Sequence, residues 1–459
     1  MNENTTKIMA VVVVLVMVVA GVAAFLVMNN GKGSSVDIDA ALEVYGNADN
    51  DYKIDTADRA IIQNILEKKE GYTLERYPLA DANYDGEVTQ KDIEQVDAIL
   101  KGSKTTVFHL NHSTDLDKYP SGTYVAETKW PITKTVANGA ANALIMYAIT
   151  NIKDNIVGIN YSKNSPPDKI IWPDFAKMPS LGTSTIYISE DLLVTCLEAN
   201  PGTTAVLTAD NKNYLNGGDQ SLSEQELEEK YGLDVIRIQH AAVDPKEYCA
   251  ALLLLGFLFQ TESKSQEVAQ WTAGVFKEIT EKTDKVKDKV RVACSSYYNY
   301  LSSKNSDYSD YAAQAGGIVT TWEQSSSAIY FDPSQEKYDA RVYNDEYQGD
   351  VIIVYRTGSG FLEDSWYSDP DGWNKENMKE NLSHFHNFKA YENKQVWHTS
   401  GDAPIVARVL YSAAIMYPEL FSMEYADKVH QEFVDKFLGG LYDVSKLNFV
   451  LSQTEIEAM

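Results

Sequence analysis

The sequence predicts an α/β protein of two lobes joined by one long helix, with a small all-α module and a transmembrane helix ahead of them. Three observations carry this. From about residue 105 short β-rich runs alternate with helical stretches, the pattern of a largely parallel sheet. Residues 265–287 break that alternation, with Val268, Trp271, Val275, Phe276 and Ile279 at helical spacing, and divide the region into comparable halves. Residues 46–101 hold an internal repeat of a different kind.

The 459 residues leave room for two or three domains. They divide into an N-terminal segment and linker (1–35), the repeat module (36–102) and the α/β region (105–459). Acidic residues outnumber basic ones 66 to 40, for a net charge of −26. That excess argues against a nucleic-acid partner, which needs a basic stripe, and against docking on an anionic lipid surface. It is concentrated in the module, where residues 36–101 hold 16 acids and 7 bases. Three distant cysteines, Cys196, Cys249 and Cys294, suggest buried thiols and not a disulfide framework.

Ile8 to Met28 is an uncharged apolar run. At about 1.5 Å per residue it matches the ~30 Å hydrocarbon core of a bilayer. It exceeds the roughly 7–15 apolar residues of a secretory signal, which favours an uncleaved anchor. The very short tail ahead of it leaves the bulk of the chain extracytoplasmic. Residues 29–35 (NNGKGSS) read as a flexible linker.

In the repeat, oxygen-bearing side chains recur at positions 1, 3, 5, 9 and 12 of two loops: Asn47, Asp49, Asp51, Asp55 and Asp58, then Asp81, Asn83, Asp85, Thr89 and Asp92. Lys53 and Glu87, at position 7, offer backbone carbonyls. Calcium takes six to eight hard oxygens, and this spacing wraps them round one ion. An amphipathic helix follows each loop, so two Ca²⁺ sites are expected. The pattern resembles the dockerin type I domain, an EF-hand-like module with Asp at position 12. Position 6 is Gly86 in the second loop but Tyr52 in the first, where a sharp turn favours glycine; a weaker first site is expected. Positions 10 and 11 are Thr56–Ala57 and Gln90–Lys91 in place of the Ser/Thr pairs that face cohesin, which argues against cohesin binding and for a spacer or a module docked on its own chain.

In the α/β region the strand candidates are 156–162, 204–210, 234–240, 289–296, 317–322, 350–356 and 395–400, with helices at Val136–Thr150 and Asp191–Ala199. The segments KWPITKTVANGAANALIMYAITNIKDNIVGINYS, PSLGTSTIYISEDLLVTCLEANPGTTAVLT, AAQAGGIV and ARVLYSAAIMYPELF resemble, in order, those of ABC-transporter substrate-binding proteins for iron-siderophore, haem and cobalamin. The resemblance covers roughly residues 105–438. It implies a periplasmic-binding-protein-like fold, a metal-chelate ligand in the interlobe cleft, and a permease with its ATPase as partners.

Ligands of open α/β sheets sit beyond the carboxyl ends of the strands. Those ends carry Trp130, Tyr161, Trp172, Tyr297, Tyr298, Trp322, Arg356 and His398 as ligand candidates. Aromatic rings suit a flat chelate, Arg356 suits carboxylates, and His398 suits an axial metal position. No GxSxG, HExxH or P-loop is present, so no enzyme is expected. The expected function is a membrane-tethered, extracytoplasmic receptor delivering a metal chelate to a permease. A dockerin-bearing carbohydrate-active component and a calcium-dependent adhesin are the alternatives.

Overall fold

The computed structural model describes residues 38–161, 167, 172–217, 221–295, 300–304, 306–323, 328–330, 347–355, 375–401 and 403–459. The apolar run Ile8–Met28 lies outside them. Among the described residues no helix is long and apolar enough to cross a membrane.

Each acidic loop runs into a helix, α1 (Thr56–Leu66) and α2 (Gln90–Leu100). Both helices open with a capping box: Asp55 with Asp58, and Thr89 with Asp92. Ile62, Ile93 and Val96 share a small core with Ala80 and Ala82. Arg59 pairs with Asp97 across the two helices at 2.7 Å.

An antiparallel hairpin follows, β1 (Thr105–His112) with β2 (Thr123–Trp130). The chain just ahead of the first loop joins it as a short third strand. Val44 bridges His109, Tyr45 N donates to Phe108 O at 2.8 Å and Leu110 N to Glu43 O at 3.0 Å. The module is therefore docked on its own chain.

The first lobe contains β3 (Thr135–Asn138), α3 (Ala141–Ile149), β4 (Ile156–Asn160), α4 (Glu190–Ala199), β5 (Ala205–Ala209), α5 (Glu224–Tyr231) and β6 (Asp234–Ile238). Its four strands are parallel in the order β4-β3-β5-β6. The helix expected over Val136–Thr150 is corrected. Residues 135–138 are a fully buried strand between β4 and β5, and the helix starts only at Ala141. Gly139 makes the turn between them, where a Cβ would stand 2.8 Å from Asn160 O. The exposed edge of β6 is closed by a side chain of the hairpin. Asn111 Nδ2 donates to Val235 O at 2.8 Å and its Oδ1 accepts the Arg237 N–H at 3.0 Å, so its amide stands in for a peptide group. Asn111 and Asn160 head Asn-X-Ser triplets, but both are buried and present no surface for a sugar.

Two helices leave the first lobe. α6 (Pro245–Leu258) is buried along most of its length, and α7 (Glu262–Thr283) is the long helix, placed three to four residues earlier than 265–287. Gly256 lets them approach: a Cβ there would lie 2.4 Å from Ser265 Oγ.

The second lobe contains β7 (Arg291–Ser295), β8 (Tyr300–Ser302), α8 (Asp307–Gln314), β9 (Ile318–Val319), β10 (Ala328–Tyr330), β11 (Val351–Val354), α9 (Lys375–Ser383), α10 (Lys389–Glu392), β12 (Val396–Thr399), α11 (Ile405–Met416), α12 (Met423–Phe437), β13 (Val450–Ser452) and α13 (Gln453–Ala458). Its main sheet runs β13-β12-β11-β7-β9, parallel except for β13. All three cysteines are buried, as expected.

Four histidines are buried and held neutral. Burial pushes His109 and His240 down to about 4, and His398 and His430 down to about 3. Below the usual value of 6.5 the unfolded chain takes up protons that these rings refuse. The contribution of these rings to stability is therefore complete above pH 6.5 and falls as the pH drops towards the folded values, by up to about 1.4 kcal/mol per pH unit for each ring, while carboxyls raised by burial, such as Asp58, oppose it. Urea unfolding at pH 7, 6 and 5 is expected to show this decline; a midpoint constant over that range would contradict it.

Candidate functional site

The cleft is defined by where the two sheets end. In a parallel α/β sheet each helix that follows a strand begins at the carboxyl edge. α3 begins just after β3 in the first lobe, and α11 just after β12 in the second. Their first turns meet: Arg408 of α11 donates through Nη2 to Asn142 Oδ1 of α3. The lobes thus face each other across their carboxyl edges.

Arg408 is the unusual residue of this contact. It is 2% exposed. Nε donates to Ala403 O at 2.8 Å and Nη1 to Tyr311 Oη at 2.8 Å, and the guanidinium lies 4.7 Å from the Tyr311 ring centroid. Among the described residues no carboxylate pairs with it. Its acceptors among the described residues are all neutral, and a buried guanidinium is costly without a counter-charge. Tyr311 in turn packs on Tyr355, just beyond β11. The sequence reading passed over Arg408, although a lone arginine in the otherwise apolar APIVARVLYSAAIM was a legible signal.

Across the first lobe, further polar groups stand at the strand ends. Asn138 closes β3, and its buried Nδ2 has no hydrogen-bond partner. His240 lies two residues beyond β6 with both ring nitrogens buried and unpartnered. Asp210, directly after β5, is pushed up from the usual carboxylate range by burial.

The predicted ligand residues divide three ways. Tyr161 follows β4, half-buried at the carboxyl edge, and Trp322 is half-buried in the turn after β9. Trp130, Trp172 and His398 are buried. The Trp130 ring stacks on Phe257 at 5.4 Å and its Nε1 donates to Phe257 O at 2.7 Å. Trp172 packs against Phe175. His398 is fully buried within β12. Tyr297, Tyr298 and Arg356 lie outside the described residues. The HFH pair, His384 and His386, sits in a turn after α9, where His386 Nδ1 is 2.9 Å from Ser383 O.

The two acidic loops repeat one hydrogen-bond pattern. Asp58 accepts from Asp49 N at 3.1 Å and Asp55 N at 2.7 Å. Asp92 accepts from Asn83 N at 3.1 Å and Thr89 N at 2.6 Å. Asp81 accepts from Asp85 N and Gly86 N, Asp51 from Lys53 N, and Asp85 from Glu87 N. Burial, then the neighbouring carboxylates of Asp49 and Asp51, push Asp58 up to about 7 against the pull of its amides. Burial also raises Asp51 and Asp81. Asn47, at position 1, is fully buried; its Nδ2 donates to Leu42 O and Asp51 O at 2.7 Å, and its Oδ1 accepts nothing. Among the described residues no three His, Cys, Asp or Glu side chains gather closely enough to form a metal cluster by themselves.

No family model matches the chain, and no curated protein matches it in sequence. Solved structures do. A TroA-like periplasmic binding protein, FepB of Veillonella parvula, shares 19% identity over 69% of this chain and 94% of its own, with a TM-score of 0.51. An ABC transporter solute-binding protein of Sulfurospirillum deleyianum gives 17% identity, 70% and 93% coverage and a TM-score of 0.48. CeuE of Helicobacter pylori gives 16%, 76% and 98%, and 0.48. The first of these likenesses shows the fold, a periplasmic-binding-protein-like α/β architecture with two largely parallel sheets.

The charge on Arg408 gives a direct test. Asn142→Ala leaves a buried charged donor without its acceptor and is expected to cost about 1–3 kcal/mol. Asn142→Asp supplies the missing negative charge and is expected to raise the melting temperature. Thermal unfolding of both variants decides it: equal destabilisation would show that the guanidinium lacks no counter-charge.

Proposed function

We propose that this chain is the extracytoplasmic solute-binding component of an ABC importer, tethered by Ile8–Met28, and that it captures a metal chelate with anionic groups of the iron-siderophore, haem or cobalamin type. The observation that supports the reading is Arg408, a buried cation with only neutral acceptors among the described residues, where the carboxyl edges of the two sheets meet. An anionic oxygen of the solute supplies the charge that Asn142 cannot. Tyr161 and Trp322, with Tyr297, Tyr298 and Arg356, offer the remaining contacts. The loaded protein then docks on a permease with a cytoplasmic ATPase. α7 limits the hinge, because bending it breaks backbone hydrogen bonds, so closure is small.

The module belongs to the same reading as a calcium-binding unit. The unpartnered Oδ1 of Asn47 and the carboxyls raised by burial suit a hard cation. Asn47, Asp49, Asp51, Asp58 and the Lys53 carbonyl would hold one ion, with Asp55 at position 9. Asp81, Asn83, Asp85, Thr89, Asp92 and the Glu87 carbonyl would hold the other.

Two measurements check this. Calorimetry of the detergent-solubilised chain with haem, cobalamin and ferric siderophores is expected to give saturable heat with one of them, weakened at least tenfold by Arg408→Gln. Silence with all three sinks the chelate reading. Excess chelator is expected to reduce helical circular dichroism by the share of α1 and α2; an unchanged spectrum counts against calcium.

A further inference from the structure

The two acidic loops are alike in sequence but not in position. Loop 2 is more exposed, from Tyr84 to Glu87, and its contact with the hairpin is the Tyr84 ring, 4.7 Å from Tyr45 and 5.7 Å from Phe108. Loop 1 is built into the lobes. The Asp51 carbonyl accepts from Leu42 N at 2.8 Å as well as from Asn47 Nδ2, and Leu42 belongs to the main core. The next residues, Glu43 to Tyr45, pair with β1. Tyr52 and Ile54 pack on that same core and line a cavity against Leu253 and Phe257 of α6. Asn50, Asp51 and Tyr52 line a second one against Lys246 and Glu247. This explains the departure at position 6. Gly86 takes φ +92° in the more exposed loop, whereas Tyr52 has no positive φ and its side chain packs on the main core beside the cavity it shares with α6.

From Phe257 the path continues. Trp130 stacks on it and bonds its carbonyl, Ile132 N donates to Leu258 O at 2.9 Å, and β3 begins three residues later. We infer that calcium in the first loop acts on the solute-binding lobes through Tyr52 and α6, so that loop 1 is a regulatory site and loop 2 a structural one. The inference rests on the calcium reading above. The fit of loop 1 to the ion is the buried, unpartnered Oδ1 of Asn47.

All seven tryptophans lie downstream of residue 105, so their emission reports the lobes and not the module. Calcium chloride titrated into the detergent-solubilised full chain is expected to shift that emission. At a hundredfold excess over Kd it is expected to raise the main melting transition by about 4 °C. Asp58→Asn abolishes both effects, and Asp92→Asn keeps the emission shift. Tyr52→Gly keeps two bound ions, counted by equilibrium dialysis, and loses the shift. Two bound ions with unchanged emission overturn the coupling and leave the calcium reading standing; no bound ion overturns both. A shift that survives Asp58→Asn or Tyr52→Gly, or one that vanishes in Asp92→Asn, also overturns the coupling.

Discussion

Helices α6 and α7 can lie together only because Gly256 offers no side chain where Ser265 comes within 2.5 Å of a would-be Cβ. The rest of the molecule is fixed to this pair. The first lobe hangs on the end of α6, where Trp130 Nε1 and Ile132 N occupy the carbonyls of Phe257 and Leu258, groups a helix terminus leaves without partners. The second lobe is held by α7, whose Trp271 packs on Phe433 and Phe437 of α12 and donates to Glu432 at 3.0 Å. The acidic module leans on α6 through Tyr52 and Ile54.

With the back of the molecule fixed in this way, the front is where electrostatics is left unfinished. A buried arginine normally comes with a carboxylate, because desolvating an unpaired charge is costly. Arg408 has a phenol, a main-chain carbonyl and an amide. The amide belongs to the opposite lobe, so the same buried cation that has no carboxylate partner among the described residues also joins the lobes.

The two loops of the module show how a repeat can diverge in role while keeping its chemistry. The amide-to-carboxylate pattern is the same in both, down to the position 12 aspartate bonded to positions 3 and 9. Only the neighbours differ. A loop facing solvent can keep glycine at its turn, while a loop facing a leucine-rich helix gains more from an aromatic ring that buries apolar surface.

Much of this was legible in the chain. Alternation of β-rich and helical segments gave two parallel sheets, the long amphipathic run gave α7 within a few residues, and the spacing of oxygens marked both loops. These are local patterns, set by side-chain periodicity and by turn chemistry, and they survive without knowledge of the fold. Residues 136–138 were misread as helix because the four buried residues of β3, between two strands, carry no alternation. The burial of Trp130, Trp172 and His398 was not legible, because strand ends alone cannot tell an outward ring from a buried one. Arg408 meeting Asn142, Asn111 completing the edge of β6, and Tyr52 sharing a cavity with Leu253 and Phe257 of α6 each join residues more than a hundred positions apart. Sequence alone determined the elements and their order, because these follow from neighbours along the chain. Only the tertiary structure decided which buried cation joins the lobes and which core each loop packs on, because both depend on what packing brings together.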